Sequence, residues 1–108
     1  MTVWRAIDTG VRSARWNIAM TAALGELHRA GGTPDTIRFH RYARSVLLGC
    51  NEEAQSACDT AFCRAQGIEI ARRVTGGGAV YMSPAILAWD IVAARVRFGR
   101  RMDDAFAA

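Results

Sequence analysis

The chain has 108 residues, which bounds it to one small domain with a modest core. Its apolar fraction of 51% argues against wholesale disorder, and no apolar run approaches the roughly 20 residues of a membrane-spanning helix. The net charge is +4, all 14 basic residues are arginine and there is no lysine; outside Arg72-Arg73 and Arg95 to Arg101 these arginines are scattered, which speaks against a nucleic-acid partner.

The start, Met1-Thr2-Val3-Trp4-Arg5, lacks a basic segment followed by an apolar stretch, so a cytoplasmic protein without a membrane partner is expected. Val3 to Ile7 reads as a short strand closed by Asp8-Thr9-Gly10. From Ala14 to Ala30, Trp16, Met20, Ala23, Leu24 and Leu27 recur at helical spacing, and Gly31-Gly32 with Pro34 ends the helix. Thr36 to Tyr42 alternates, with Ile37 and Phe39 on one face and Arg38 and His40 on the other, as in a half-buried strand. Ser45 to Leu48 is a second strand, stopped by Gly49, and a turn at Ala43-Arg44 predicts a hairpin between the two.

Asp59 and Gly67 are placed to cap a helix over Thr60 to Gln66. Ile68 to Val74 is a strand running into Gly76-Gly77-Gly78, with Ala79 to Met82 again extended. Ser83-Pro84 turns the chain, and Leu87 to Val96 predicts a hairpin partner for the preceding strand. From Arg100 a polar, helix-like piece begins. Strands of mixed spacing with two helices indicate an α+β fold rather than a doubly wound one. Cys50, Cys58 and Cys63 form no Cys-x-x-Cys pair, and His28 and His40 do not stand at ligand spacing to them, so neither a metal site nor a disulfide framework is expected.

Three consecutive glycines leaving a strand require a reason, because glycine weakens a strand interior. Glycine permits positive φ and lets another group approach the backbone, and bare N–H groups make an anion cradle. Arg72 and Arg73 precede the run on opposite faces, so one of them can point into a site, and Thr75 adds a hydroxyl. A P-loop is excluded by the missing lysine, and a dinucleotide fingerprint fails because Tyr81 stands where its third glycine belongs. A ligand-free glycine hairpin or bulge is the alternative these residues leave open.

Arg72-Arg73-Val74-Thr75-Gly76-Gly77-Gly78-Ala79-Val80-Tyr81 resembles the signature of the biotin/lipoate protein ligase family. The resemblance extends upstream in order, through Trp16-Asn17-Ile18-Ala19, Ile37 to Arg41 with Ser45 to Gly49, and Cys63 to Ile68. It implies the N-terminal part of a class II synthetase-like catalytic domain, a mixed sheet with flanking helices, the family's domain being roughly twice as long. It further implies lipoyl-AMP formation from ATP (with Mg2+) and lipoate, nothing being covalently bound, and acyl transfer to a lysine of a lipoyl-domain or H-protein-like acceptor. An octanoyltransferase of the same superfamily is the alternative, and a split, non-catalytic fragment that binds a C-terminal partner half is another.

By position, the resemblance assigns Arg73 to phosphate, Thr75, Gly76 and Gly77 to the site lining, and Gly78, Ala79, Val80 and Tyr81 to the strand against the nucleotide. It places Asn17, His40 and Gly49 toward the acyl group. Met82-Ser83 stand where His-Asp is common, His40 where tryptophan is common, and Glu52 where glutamine is frequent. The family's catalytic lysine has no counterpart here, and none of the three cysteines matches the nucleophile of the cysteine-dependent octanoyltransferases.

Overall fold

The computed structural model describes residues 3–94. In chain order it contains β1 (Trp4–Arg12), α1 (Ala14–Arg29), β2 (Asp35–Tyr42), β3 (Ser45–Leu48), α2 (Ala54–Ala57), α3 (Thr60–Ala65), β4 (Glu69–Arg72), β5 (Val80–Met82) and β6 (Ala88–Val92). These strands form two three-stranded mixed sheets, ordered β1-β2-β6 and β4-β3-β5. In each, the central strand has one parallel and one antiparallel neighbour. The α+β expectation is met.

Both expected hairpins are absent. β2 does not pair with β3, and β5 does not pair with β6; β6 returns to β2, and β5 lies against β3. The two residues between β2 and β3 carry the chain from one sheet to the other. Ala43 N–H bonds to Arg12 O at 2.9 Å, while Arg44 O accepts from Glu69 N–H at 3.1 Å, so each residue belongs to a different sheet. A two-residue link can close a hairpin only if its strands turn back on each other, and here they continue onward. β1 also runs past its expected end at Ile7. Its register slips between Asp8 and Val11, where Gly10 takes φ +71° and donates its N–H to the Asp8 carboxylate at 2.8 Å, a bulge that glycine makes inexpensive.

Ser13 caps α1 by accepting from Trp16 N–H at 3.1 Å, and Gly31 at φ +79° ends it. Glu69 reaches from β4 to accept from the N–H groups of Ala14 at 2.7 Å and Arg15 at 3.1 Å, placing a carboxylate on the positive end of the helix. Asp59 caps α3 as expected, accepting from Phe62 N–H at 3.0 Å, and Gly67 follows the helix end at φ +67°. The buried face of α1 differs from expectation. Ala14, Asn17 and Leu24 are buried, whereas Trp16 and Leu27 are exposed, and Trp16 is covered by the Arg12 guanidinium 4.7 Å above its ring.

On β2 the covered face is the polar one. Thr36, Arg38, His40 and Tyr42 are buried under α1, and Phe39 is exposed. The apolar core is small: Ala14, Tyr42, Leu47 and Ala71, with Ile18, Met82 and Ala88 packed against it. The end of the expected Leu87 to Val96 strand and the piece from Arg100 lie outside the described residues.

Candidate functional site

The buried face of β2 is polar because α1 supplies partners for it. Arg38 is wholly buried, and its Nε and Nη2 donate to Asp90 Oδ2 at 3.1 and 2.9 Å. Its Nη1 donates to Thr9 Oγ1 and Asn17 Oδ1, both at 3.0 Å, and its Nη2 also reaches Asn17 O at 3.1 Å and Thr21 Oγ1 at 3.0 Å. Asn17 Nδ2 donates to Arg41 O at 3.0 Å. One guanidinium therefore ties β1, α1, β2 and β6 together. A charge buried this deeply is tolerated only when paired and fully hydrogen-bonded.

The glycine segment sits between β4 and β5, as expected, and Arg73 organises it from within. Its Nε donates to Thr75 Oγ1 at 3.3 Å, and its Nη2 to Gly76 O at 2.6 Å. Nη1 donates to Leu47 O at 3.1 Å and Gly78 O at 3.0 Å. Four of its five N–H groups are thus engaged, and one on Nη2 remains. Arg72 points elsewhere, donating to Gly49 O at 3.0 Å and to the carbonyls of Cys50 and Glu52.

The direction of the loop's amides follows from these carbonyls. Every described peptide bond is trans, so each N–H points opposite to the carbonyl of its own peptide. The Gly76 and Gly78 carbonyls turn toward Arg73, which aims the N–H groups of Gly77 and Ala79 away from it. The Gly77 carbonyl packs on Gly49, which aims the Gly78 N–H away from that strand. Among the described residues, the N–H groups of Gly76, Gly77 and Gly78 donate to no protein acceptor, and all three glycines are exposed. Exposed N–H groups with no protein acceptor are available to an anion.

The start of this loop and α1 enclose a cavity of about 210 Å³ lined by Ile18, Thr21, Tyr42, Arg73, Val74, Thr75 and Asp90. The expected residues Arg73 and Thr75 line it. Asn17, His40 and Gly49 do not: Asn17 holds Arg38, His40 is buried with Nδ1 lacking a partner among the described residues, and Gly49 receives the loop backbone. Tyr81 lies on the side of β5 opposite Val80 and Met82, its hydroxyl accepting from Arg44 Nε at 3.2 Å.

Ile18, Thr21, Tyr42 and Asp90 were not singled out by sequence reasoning as lining this cavity. For Asp90 there was a signal, a lone carboxylate in an otherwise apolar strand. Burial, then Asp90, raises the Tyr42 phenol above its ordinary pKa, while Arg38 and Arg73 pull it down. Burial, then Arg38, holds His40 below its ordinary value against the opposing pull of Asp90. The Cys58 thiol is pushed up by burial and by its neighbours Cys63, Asp59 and Glu52, the reverse of what a reactive thiolate needs.

Residues 13–108 match the family model of the lipoyl protein ligase A/B catalytic domain. An octanoyltransferase LipM of Moorella thermoacetica is 36% identical over 78 residues, covering 71% of this chain and 29% of that protein. Lipoate-protein ligase A subunit 1 of Thermoplasma acidophilum is 35% identical over 80 residues, covering 74% of this chain and 30% of that protein. The chain thus spans less than a third of the length of these relatives.

Among solved structures, a bi-partite lipoate protein ligase of Thermoplasma acidophilum, studied with its E2 lipoyl domain, superposes with a TM-score of 0.66 at 26% identity over 84% of this chain and 36% of that one. A lipoate-protein ligase A bound with ATP gives 0.63 at 28% identity over 84% of this chain and 36% of that one. The mixed fold, the glycine segment between β4 and β5, and these matches lead to one assignment: the chain belongs to the lipoyl protein ligase A/B catalytic-domain family.

Proposed function

We propose that the protein carrying this chain activates a carboxylic acid of the lipoate class with ATP, in the presence of Mg2+, and transfers the acyl group to a lysine of a lipoyl-domain or H-protein-like acceptor. The observation that carries this reading is the exposed glycine loop, whose amides have no protein acceptor among the described residues and which follows directly on Arg73 and Thr75, two residues of the cavity wall. Adenylation brings a carboxylate against an α-phosphate, and fixed N–H donors stabilise the charge that develops there without reorganising. Thr75 accepts from Arg73 Nε, which leaves its own proton to donate outward. Arg73 contributes by shaping the loop and through its one uncommitted N–H.

The chain has no lysine, so the ammonium that the resemblance implies at the reacting oxygens comes from elsewhere. A partner half is the source that the bi-partite relative's name supports. The outer side of the first sheet offers a surface for it: Phe39 is cross-strand to Trp89 and Ile37 to Ile91, and Phe39, Trp89 and Ile91 are all exposed.

Transfer from a pre-formed octanoyl thioester is the second reading, supported by the octanoyltransferase relative. ATP–pyrophosphate exchange with lipoate or octanoate separates the two. Exchange that depends on the acid is expected; octanoyl transfer from a thioester with no exchange would replace the ligase reading by the transferase. In the complete protein, Arg73→Ala is expected to lower exchange by about 10- to 100-fold, the scale of a hydrogen bond to a charged group plus a disordered loop. Unchanged exchange would remove Arg73 from the site.

A further inference from the structure

We infer that Arg72 is a positioning residue for the glycine loop: through two peptide units in series it holds and polarises the N–H of Gly76, the first donor the loop presents. The reaction that this donor serves is the acid activation proposed above, and the inference rests on that reading.

Arg72 Nη1 donates to Gly49 O at 3.0 Å, to Cys50 O at 3.4 Å and to Glu52 O. All three carbonyls belong to one turn, closed by Glu52 N–H on Gly49 O at 3.1 Å and by Gly49 N–H on the Glu52 carboxylate at 2.9 Å. Among the described residues the guanidinium makes no ion pair, so its charge falls on these carbonyls. The Gly49 carbonyl shares a trans peptide with the Cys50 N–H, which points the opposite way and donates to Thr75 O at 2.8 Å. The Thr75 carbonyl in turn shares a trans peptide with the Gly76 N–H. That N–H meets no protein acceptor among the described residues, and the space around Gly76 is open.

Hydrogen bonds in series polarise one another, and a charged donor at the head of the series makes the stronger bond. The guanidinium draws electron density toward the Gly49 carbonyl oxygen, which makes the Cys50 N–H a better donor. Cys50 does the same to the Thr75 carbonyl, and the Gly76 N–H gains donor strength at the far end. The same bonds fix where that N–H points, because both peptide planes behind it are held. Arg73 acts on other amides: its bonds to Gly76 O and Gly78 O polarise the N–H groups of Gly77 and Ala79. The two adjacent arginines therefore divide the loop, Arg73 working from within and Arg72 from behind. A phosphate oxygen at Gly76 would meet a donor stronger than an ordinary amide, with its direction set beforehand.

The test is NMR spectroscopy and ATP–pyrophosphate exchange on the complete protein, with Arg72→Gln, which keeps a neutral donor, and Arg72→Lys, which keeps the charge. In Arg72→Gln the amide protons of Cys50 and Gly76 are expected to move upfield while those of Gly77 and Ala79 stay. Arg72→Lys is expected to return them toward wild type. The kcat of exchange should fall about three- to tenfold in Arg72→Gln with KM for the acid unchanged, less than the roughly 100-fold or more of deleting such a donor outright. An unmoved Gly76 amide or an unaltered kcat would overturn the inference. So would equal displacement of all four amides, the mark of a loop that has only lost its shape. Should Arg72→Gln not fold, the wild-type protein decides by scalar couplings across the hydrogen bonds, from Arg72 Nη1 to the Gly49 carbonyl carbon and from Cys50 N to that of Thr75. Absence of either coupling would break the series and overturn the inference. A wild type without exchange would sink the acid-activation reading, and the Gly76 amide would still decide the role of Arg72.

Discussion

A Cβ added to Gly49 would lie 2.0 Å from the Gly77 carbonyl oxygen, which no adjustment of a side chain can relieve, because the atom it meets is backbone. Gly77 is constrained differently, by φ +105° and by an Arg73 Nη2 that would sit 3.0 Å from its Cβ. Gly78 has neither constraint, with open space around it and no positive φ. The three consecutive glycines are therefore not equivalent, and the structure does not require glycine at Gly78 for its own backbone. Gly49→Ala and Gly77→Ala are each expected to destabilise by about 1–3 kcal/mol, the range of forced backbone strain. Gly78→Ala should fall within about 0.5 kcal/mol of wild type. Urea denaturation of the three variants checks this, and equal losses at Gly77 and Gly78 would show that the loop is held otherwise.

His40 carries a second consequence at this scale. Its imidazole is buried, its Nδ1 has no partner among the described residues, and burial and Arg38 keep its pKa below 6.5 in the fold. The unfolded chain takes up a proton near 6.5, and the fold resists doing so until a lower pH. Stability from this group is therefore complete above 6.5 and is lost as pH falls from there toward the depressed folded value, with a slope of at most about 1.4 kcal/mol per pH unit. Thermal unfolding at pH values from 7.5 to 5.5 should show a falling midpoint for wild type and a shallower fall in His40→Phe. Parallel curves would mean that His40 does not titrate in this window.

Among the elements, what the chain would form was more legible than what each element would touch. α1 was visible in its apolar spacing and in Gly31, α3 in Asp59 and Gly67, and the glycine junction in its composition. The alternation of β2 was equally plain, yet it states only that two faces differ. Which face is covered depends on α1, whose Asn17 and Thr21 supply acceptors for Arg38, and a one-strand pattern holds no record of that. Nor does a short link reveal whether its strands turn back, since pairing partners such as β2 with β6 lie about 50 residues apart. Of the cavity lining, Thr75 was singled out by its hydroxyl and Arg73, between two adjacent arginines, only by the resemblance, while Thr21, Tyr42 and Asp90 arrive through those long-range pairings.

Glu69 makes this coupling testable. It is the residue of β4 that accepts from the first N–H groups of α1, so one side chain joins the second sheet to the helix covering the first. Glu69→Ala removes a cap and a favourable charge at a helix N-terminus, and is expected to cost about 1–2 kcal/mol. Amide exchange should then rise at Ala14 and Arg15 before it rises in α3. A uniform rise along the chain would assign Glu69 to global stability rather than to the helix end.

At the scale of the molecule, the proposed function turns on two features of this chain: it contains no lysine, and one face of the first sheet is exposed. In the proposed acyl-adenylate formation negative charge gathers on the oxygens shared between acid and phosphate, and the loop amides would oppose it with partial charges only. The nearest full charges are spoken for: Arg38 by Asp90, and Arg73 largely by loop carbonyls. Arginine's planar head does not fill the place of an ammonium in any case. On the outer side of the first sheet, Trp89 is 60% exposed and Ile91 47%, beside Phe39, more apolar surface than a lone domain gains by showing to water. Both features are met by one additional piece of protein that brings a lysine and covers the sheet. Residues 1–108 alone are therefore expected to give no detectable lipoylation when incubated with ATP, Mg2+, lipoate and an acceptor lipoyl domain. Adding a lysine-bearing partner half should restore the mass increase on the acceptor, and Trp89→Glu should weaken that rescue by roughly tenfold or more, as loss of a central aromatic anchor does. Turnover by residues 1–108 without any partner would show that the charge is supplied from within this chain, with Arg73 released from its carbonyls as the first group to test.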